Sequence, residues 1–180
     1  QGHNPRNPNA GAEGNGLREQ DLTYKIGTEL AALINENPAL EARLSRPTPE
    51  TQLGTSNASS LAARVNDANS WGADYFISLH ANASSAPSAS GTEGYVFALN
   101  TPAAALSRDI VAGIAEATGL RSRGVFARPS LYVLRRTRMP ATLIELGYIT
   151  NANDARLMNE NPRLFARGIY NGILRYLNLA

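Results

Sequence analysis

The chain has 180 residues and a mass of 19.2 kDa, the size of one domain, and is long enough to bury about two thirds of its unfolded surface. A hydrophobic content of 43%, a charged content of 18% and no apolar run near the roughly 20 residues of a membrane-spanning helix exclude disorder and membrane insertion. The net charge of +2, with a pI near 9.2 because 16 of the 17 cations are Arg, is too mild to argue for nucleic acid, and without cysteine any metal must be held by His, Asp or Glu.

The sequence opens on Gln1-Gly2-His3 with neither an initiator Met nor a charged and then apolar leader, so it reads as trimmed, with any targeting signal outside it. Its first 16 residues hold four Gly, two Pro and four Asn, a composition for loop. Leu22, Ile26, Leu30 and Leu33 then recur at helical spacing until Asn37-Pro38, which predicts a helix over about 17–36. Leu61, Val65 and Ala68 mark a second helix ending near Trp71-Gly72. The run 74–79, DYFISL, has the period of a strand covered on both faces, with His80 at its end. A small-residue loop over 83–91, of a composition suited to mobility, leads into a strand over 93–98. Thr101 caps a helix with Pro102 at its first position and Gly119 just past its end. A loop and a short strand over 132–134 follow, then a buried strand over 141–145 that ends in Glu145, and a last helix from Asn161-Pro162. Alternating strands and helices predict an α/β fold, a mainly parallel twisted sheet with helices on both faces, without repeat or linker.

In such a sheet ligands bind outside the carboxyl ends of the strands, and His80 and Glu145 both project there. His3 precedes the glycine-rich loop, where a first strand, largely absent from the sequence, would deliver it to the same rim. No H-E-x-x-H, G-x-S-x-G or Walker lysine is present, so only the fold can pair these residues. Each has a plain structural alternative. Glu145 suits an ion pair with Arg135, Arg136 or Arg138, and Glu19 suits the dipole at the start of the first helix. Asn82 and Asn151 suit turns, and the arginines of 121–138 a solvated face.

Two segments, DYFISLHANAS at 74–84 and PATLIELGYITN at 140–151, carry a more specific signal, joined by Gly2-His3, Gly11-Ala12, Gly16-Leu17-Arg18-Glu19, Ser45-Arg46, Arg64 and Asn69. Together they resemble the zinc-dependent N-acetylmuramoyl-L-alanine amidases of the family often called type 3, nearly end to end. The resemblance implies one catalytic domain over 1–180 with its first strand truncated, one zinc ion held by His3, Glu19 and His80 at the C-terminal ends of the strands, and Glu145 as the catalytic glutamate. Two imidazoles and one carboxylate leave a fourth position open, as catalytic rather than structural zinc requires. The implied substrate is the amide between the lactyl group of N-acetylmuramic acid and L-alanine in bacterial peptidoglycan. Extracytoplasmic action in periplasm or cell wall follows from it; a monomer is the default, and composition and charge argue against membrane insertion and nucleic acid as partners. A carboxypeptidase-like peptidase of peptidoglycan and a catalytically inactive wall-binding domain are the rival readings. Asn4-Pro5 departs from the second glycine of the family's opening, which leaves the placing of His3 to other contacts. The 64 residues between His80 and Glu145 leave no room for a long occluding helix, which predicts an open, constitutively active site.

Overall fold

The computed structural model describes residues 1–179. A short hairpin, β1 (Glu13–Gly14) and β2 (Leu17–Arg18), leads into α1 (Glu19–Asn35) and α2 (Asn57–Trp71). Then come β3 (Phe76–Asn82), β4 (Thr92–Val96), α3 (Pro102–Thr118), β5 (Ser122–Ala127), α4 (Tyr132–Arg136), β6 (Ala141–Tyr148), α5 (Ala152–Glu160) and α6 (Pro162–Leu177). The four longer strands form one sheet in the order β3-β6-β4-β5. Two of its three pairings are parallel, β3 with β6 and β4 with β5, while β4 runs antiparallel to β6, so the sheet is mixed.

Helices lie on both faces. On one, Leu79, Ile144 and Leu146 meet Leu22 and Ile26 of α1, Leu106, Ile110 and Ile114 of α3, and Phe165 and Ile169 of α6. On the other, the smaller cluster of Val65, Val133, Leu134, Ala141 and Leu143 seats α2 and α4. Sequence chemistry sets the helix starts: Thr101 accepts from the Ala104 N–H ahead of Pro102, and Ser56 and Ser59 cap α2 reciprocally.

Three sequence expectations change. The predicted strand over 132–134 is the helix α4, because Val133 and Leu134 are both buried in one cluster and a strand would point them to opposite sides. Within the predicted loop before it lies β5, an edge strand with no buried side chain and therefore no alternation to read. The 83–91 loop is tied down: Asn151 donates to the Pro87 carbonyl (2.8 Å), the Ser84 N–H to Thr150 Oγ1 (3.0 Å) and Ser90 to buried Asp154 (2.7 Å).

The α3 and α6 backbones touch. A Cβ on Gly172 would stand 2.5 Å from the Asp109 carbonyl oxygen, and one on Gly168 2.7 Å from that of Gly113. Any side chain there must pry the two helices apart. Gly172→Ala is expected to destabilise the fold by about 1–3 kcal/mol, read as a lower urea midpoint. An unchanged midpoint would show that this crossing separates without cost.

Candidate metal centre

His3 lies in a segment with no regular structure, and long-range contacts position it. The Gly2 N–H donates to the Leu79 carbonyl (2.9 Å), which lays the segment along the edge of β3. Arg46, 1% exposed, donates to the carbonyls of His3 (3.1 Å), Gln20 (3.2 Å) and Pro49 (2.6 Å). Buried Arg64 donates to the Gln1 carbonyl (3.2 Å), to Ser60 Oγ (2.6 Å) and to Asn4 Oδ1 (3.3 Å). Asn4, the residue that departs from the family's glycine, is fully buried and donates to the carbonyls of Pro8 (2.8 Å) and Leu53 (2.9 Å). Its side chain pins the loop that a glycine would leave free.

Glu19 opens α1 and is 4% exposed. It does not cap its own helix. Its Oε2 accepts from the Ala12 N–H (2.8 Å) and its Oε1 from the Ala81 N–H (3.1 Å), so the carboxylate bridges the glycine-rich loop and β3. Oε1 also lies 3.1 Å from His3 Nε2 and 3.0 Å from His80 Nδ1, and the two ring nitrogens are 3.2 Å apart.

This triangle fits a cation. Ligand atoms about 2.0–2.2 Å from a common tetrahedral zinc lie roughly 3.3–3.5 Å from one another. The outer nitrogen of each ring is already engaged: His3 Nδ1 with the Asn9 carbonyl (3.3 Å), and His80 Nε2 with Ser78 Oγ (3.0 Å). A carbonyl only accepts, so His3 Nδ1 donates to it, and Nε2 is the nitrogen that faces Glu19 and His80. Burial pushes the His80 pKa down, which keeps that ring neutral despite the opposing pull of Glu19. Burial also pushes the Glu19 carboxyl up, but hydrogen bonds and charge from both histidines outweigh it and hold the group well below the usual carboxylate range. Neutral imidazoles and an ionised carboxylate are the forms that bind metal.

Glu145 stands directly across from His80 in the β3–β6 register. Burial, then the charges of Glu19 and Glu93, push its carboxyl up to about 8, and its Oε2 is buried with no hydrogen-bond partner. It makes no ion pair with Arg135, Arg136 or Arg138 among the described residues. A buried carboxyl oxygen without a partner needs an explanation, and its place beside His3, Glu19 and His80 makes Glu145 a candidate for chemistry there.

A second carboxylate escapes sequence reading. The antiparallel β4 sets buried Glu93 opposite Glu145, where it accepts from Arg123 Nε (2.8 Å), Asn82 Nδ2 (3.0 Å) and the Tyr95 hydroxyl (2.5 Å). The one available signal was a charged residue inside a short apolar strand. Asn82 thus serves this carboxylate, whereas Asn151 caps α5 by accepting from the N–H groups of Asn153 and Asp154.

A family model described as N-acetylmuramoyl-L-alanine amidase matches residues 1–175. The N-acetylmuramoyl-L-alanine amidase CwlM of Bacillus licheniformis is 37% identical over 174 residues, covering 94% of this chain and 64% of the relative. The sporulation-specific N-acetylmuramoyl-L-alanine amidase of Bacillus subtilis is 33% identical, covering 99% of this chain and 66% of the relative. The chain therefore spans just under two thirds of the length of these relatives. Among solved structures, the catalytic domain of CwlV from Bacillus (Paenibacillus) polymyxa var. colistinus superimposes with a TM-score of 0.83 at 31% identity, covering 96% of this chain and 93% of that one.

Two outcomes follow from this geometry. A Cβ on Gly2 would stand 2.1 Å from His80 Cε1, so Gly2→Ala must displace the ring. Zinc affinity measured by titration is expected to fall by about 10- to 100-fold with the circular dichroism spectrum retained. Unchanged affinity would remove His80 from the ligand set. For Glu145 the folded pKa lies above the ordinary 4.5, so the stability it allows is full below pH 4.5 and is lost as pH rises through about 8. In metal-free protein, Glu145→Gln is expected to melt increasingly above wild type from pH 5 to pH 8, and a pH-independent gap would contradict the shift.

Proposed function

The chain belongs to the N-acetylmuramoyl-L-alanine amidase family, and from that premise we propose that it hydrolyses the amide joining the lactyl group of N-acetylmuramic acid to L-alanine in peptidoglycan, with zinc held by His3, Glu19 and His80. The observation that carries the reading is the triangle of three inward-facing donors beside the unpartnered oxygen of Glu145. Bound there, zinc supplies a Lewis acid for the lactyl carbonyl and lowers the pKa of water from about 16 towards about 7.

The protein's own residues do the rest. Glu145 takes a proton from the attacking water and delivers it to the departing L-alanine nitrogen, which leaves poorly as an unprotonated amine. Its apolar, negatively charged surroundings make it a stronger base than an ordinary carboxylate, and able to hold the proton between the two steps. The backbone N–H groups of Ala12 and Ala81 fix Glu19, while the Asn9 carbonyl and the Ser78 hydroxyl fix the two rings. The side chains of His3 and His80 keep 20% and 16% of their surface exposed, which supports an open site that works without an activator. We place the protein outside the cytoplasm, as a monomer whose residues 1–180 act as one catalytic domain.

Digestion of purified peptidoglycan followed by product mass tests this. Wild type is expected to free intact stem peptides with new L-alanine amino termini, EDTA to stop it, and Glu145→Ala to lower kcat by about 10²–10⁴. Release of single amino acids with the lactyl amide intact would move the activity to a peptide bond. A zinc-loaded protein that binds peptidoglycan without any turnover would make it a wall-binding domain.

A further inference from the structure

One face of the sheet is only half covered. Glu93 and Tyr95 of β4 share it with Glu145 and Leu143 of β6. Over β3 and β6, and as far as one side of Tyr95 on β4, the cluster beneath α2 and α4 closes this face. Over β5 there is no buried side chain, and Phe126, paired with Tyr95 in the β4–β5 register, is 43% exposed. The two rings meet at 6.4 Å between centroids and form an aromatic floor that begins next to the Glu93–Glu145 pair.

The chain segment that includes β5 carries charge of one sign. Residues 121–138 hold six arginines, and no acidic residue occurs between Glu116 and Glu145. Arg123 is committed to Glu93 at 2.8 Å. Arg128 is exposed, has no ion-pair partner among the described residues, and lies with its guanidinium 5.1 Å from the centre of the Tyr95 ring. An arginine already seated on an aromatic face loses less freedom when it takes up a carboxylate.

We propose that this open β4–β5 face holds the anionic stem peptide of the substrate, with Arg128 binding a stem carboxylate over Tyr95 and Phe126 as the apolar floor. The inference rests on the amidase reading above and names which part of the substrate lies where. Distance supports it. Tyr95 is two residues along β4 from Glu93, about 7 Å, and an extended peptide covers that span in about two residues. A chain leaving the scissile amide near Glu145 therefore brings an acidic group to Arg128 at its second or third residue. Peptide, rather than glycan, is selected by charge: a neutral sugar would use the floor but not the unpaired guanidinium.

The test compares two muropeptides cleaved by zinc-loaded protein, one with its stem carboxylates free and one with them amidated. Wild type is expected to show the lower KM on the free acid. Arg128→Gln is expected to raise that KM about fivefold, as for a partly exposed ion pair, and to erase the preference over the amidated substrate. Arg163→Gln, an exposed arginine at the start of α6 in the opposite layer, controls for loss of one positive charge and is expected to leave both values as they are. Equal KM increases on both substrates would show that Arg128 contacts substrate without binding a stem carboxylate, and no change on either would show that no stem carboxylate lies there. Either result overturns the proposal while leaving the amidase reading in place, whereas a wild type that cleaves neither substrate overturns both.

Discussion

The site depends on two buried guanidinium groups that face no carboxylate. Arg46 and Arg64 spend their hydrogen bonds on carbonyls, a hydroxyl and the Asn4 amide oxygen, joining the irregular segments at Gln1, His3, Asn4 and Pro49 to α1 and α2. Burying a charge this way is costly unless its donors are filled, and burial, with the neighbouring Arg46 charge, pulls the Arg64 pKa down to about 10. In return, residues 1–4 acquire a fixed path. Neither a helix nor a strand places His3; the acceptors of two arginines do, together with one ladder bond from Gly2 to β3. Gly11 completes the arrangement, since a Cβ there would stand 2.7 Å from Glu19 Oε2. The metal centre is thus assembled where irregular backbone is clamped against a strand edge, and small residues mark each place where it presses on a donor side chain.

The reversed strand β4 then divides labour between two carboxylates. Because β4 begins where β6 is ending, its second residue, Glu93, lies opposite Glu145. A parallel β4 would carry that residue to the far end of the sheet. Glu93 is saturated by an arginine, an amide and a phenol, whereas Glu145 keeps an oxygen with no partner. Neighbouring acids in such different surroundings cannot share one role. The saturated one is a fixed support that also raises its neighbour, and the neighbour suits the proton-transfer role proposed for it.

How much of this was legible in the sequence follows from the range of the contacts involved. α1, α3 and α6 announce themselves through apolar spacing and through Thr101-Pro102 and Asn161-Pro162. His80 and Glu145 could be placed on one rim from the pattern of their strands alone. His3 could be placed there only by supposing a first strand before it, and Glu19 not at all, because their meeting with His80 spans 77 and 61 residues of chain and passes through loops; only the family resemblance singled out Glu19. β5 and α5 were missed because little of either is buried: β5 has no buried side chain, and α5 buries only Asp154, Ala155 and Met158. The direction of β4, and with it the place of Glu93, is a property of the loop geometry before it, which composition does not encode.

The two faces of the sheet carry opposite burdens. The face under α1, α3 and α6 is apolar except for features such as the Thr142–Ser107 hydroxyl pair (2.8 Å), and there the α3 and α6 backbones are in direct contact through glycine. The opposite face holds the smaller core and, along its rim, the side chains of His3, Glu19 and His80 crowded together and a carboxyl group raised by its surroundings. Such a rim lowers stability in the metal-free protein, and it persists because the larger layer stabilises the sheet independently of it. The same separation goes with an edge strand, β5, that has no buried side chain, beside a β4 that is largely buried. A helix there would add buried area to a fold already held from the other side, and it would cover the exposed ring of Phe126.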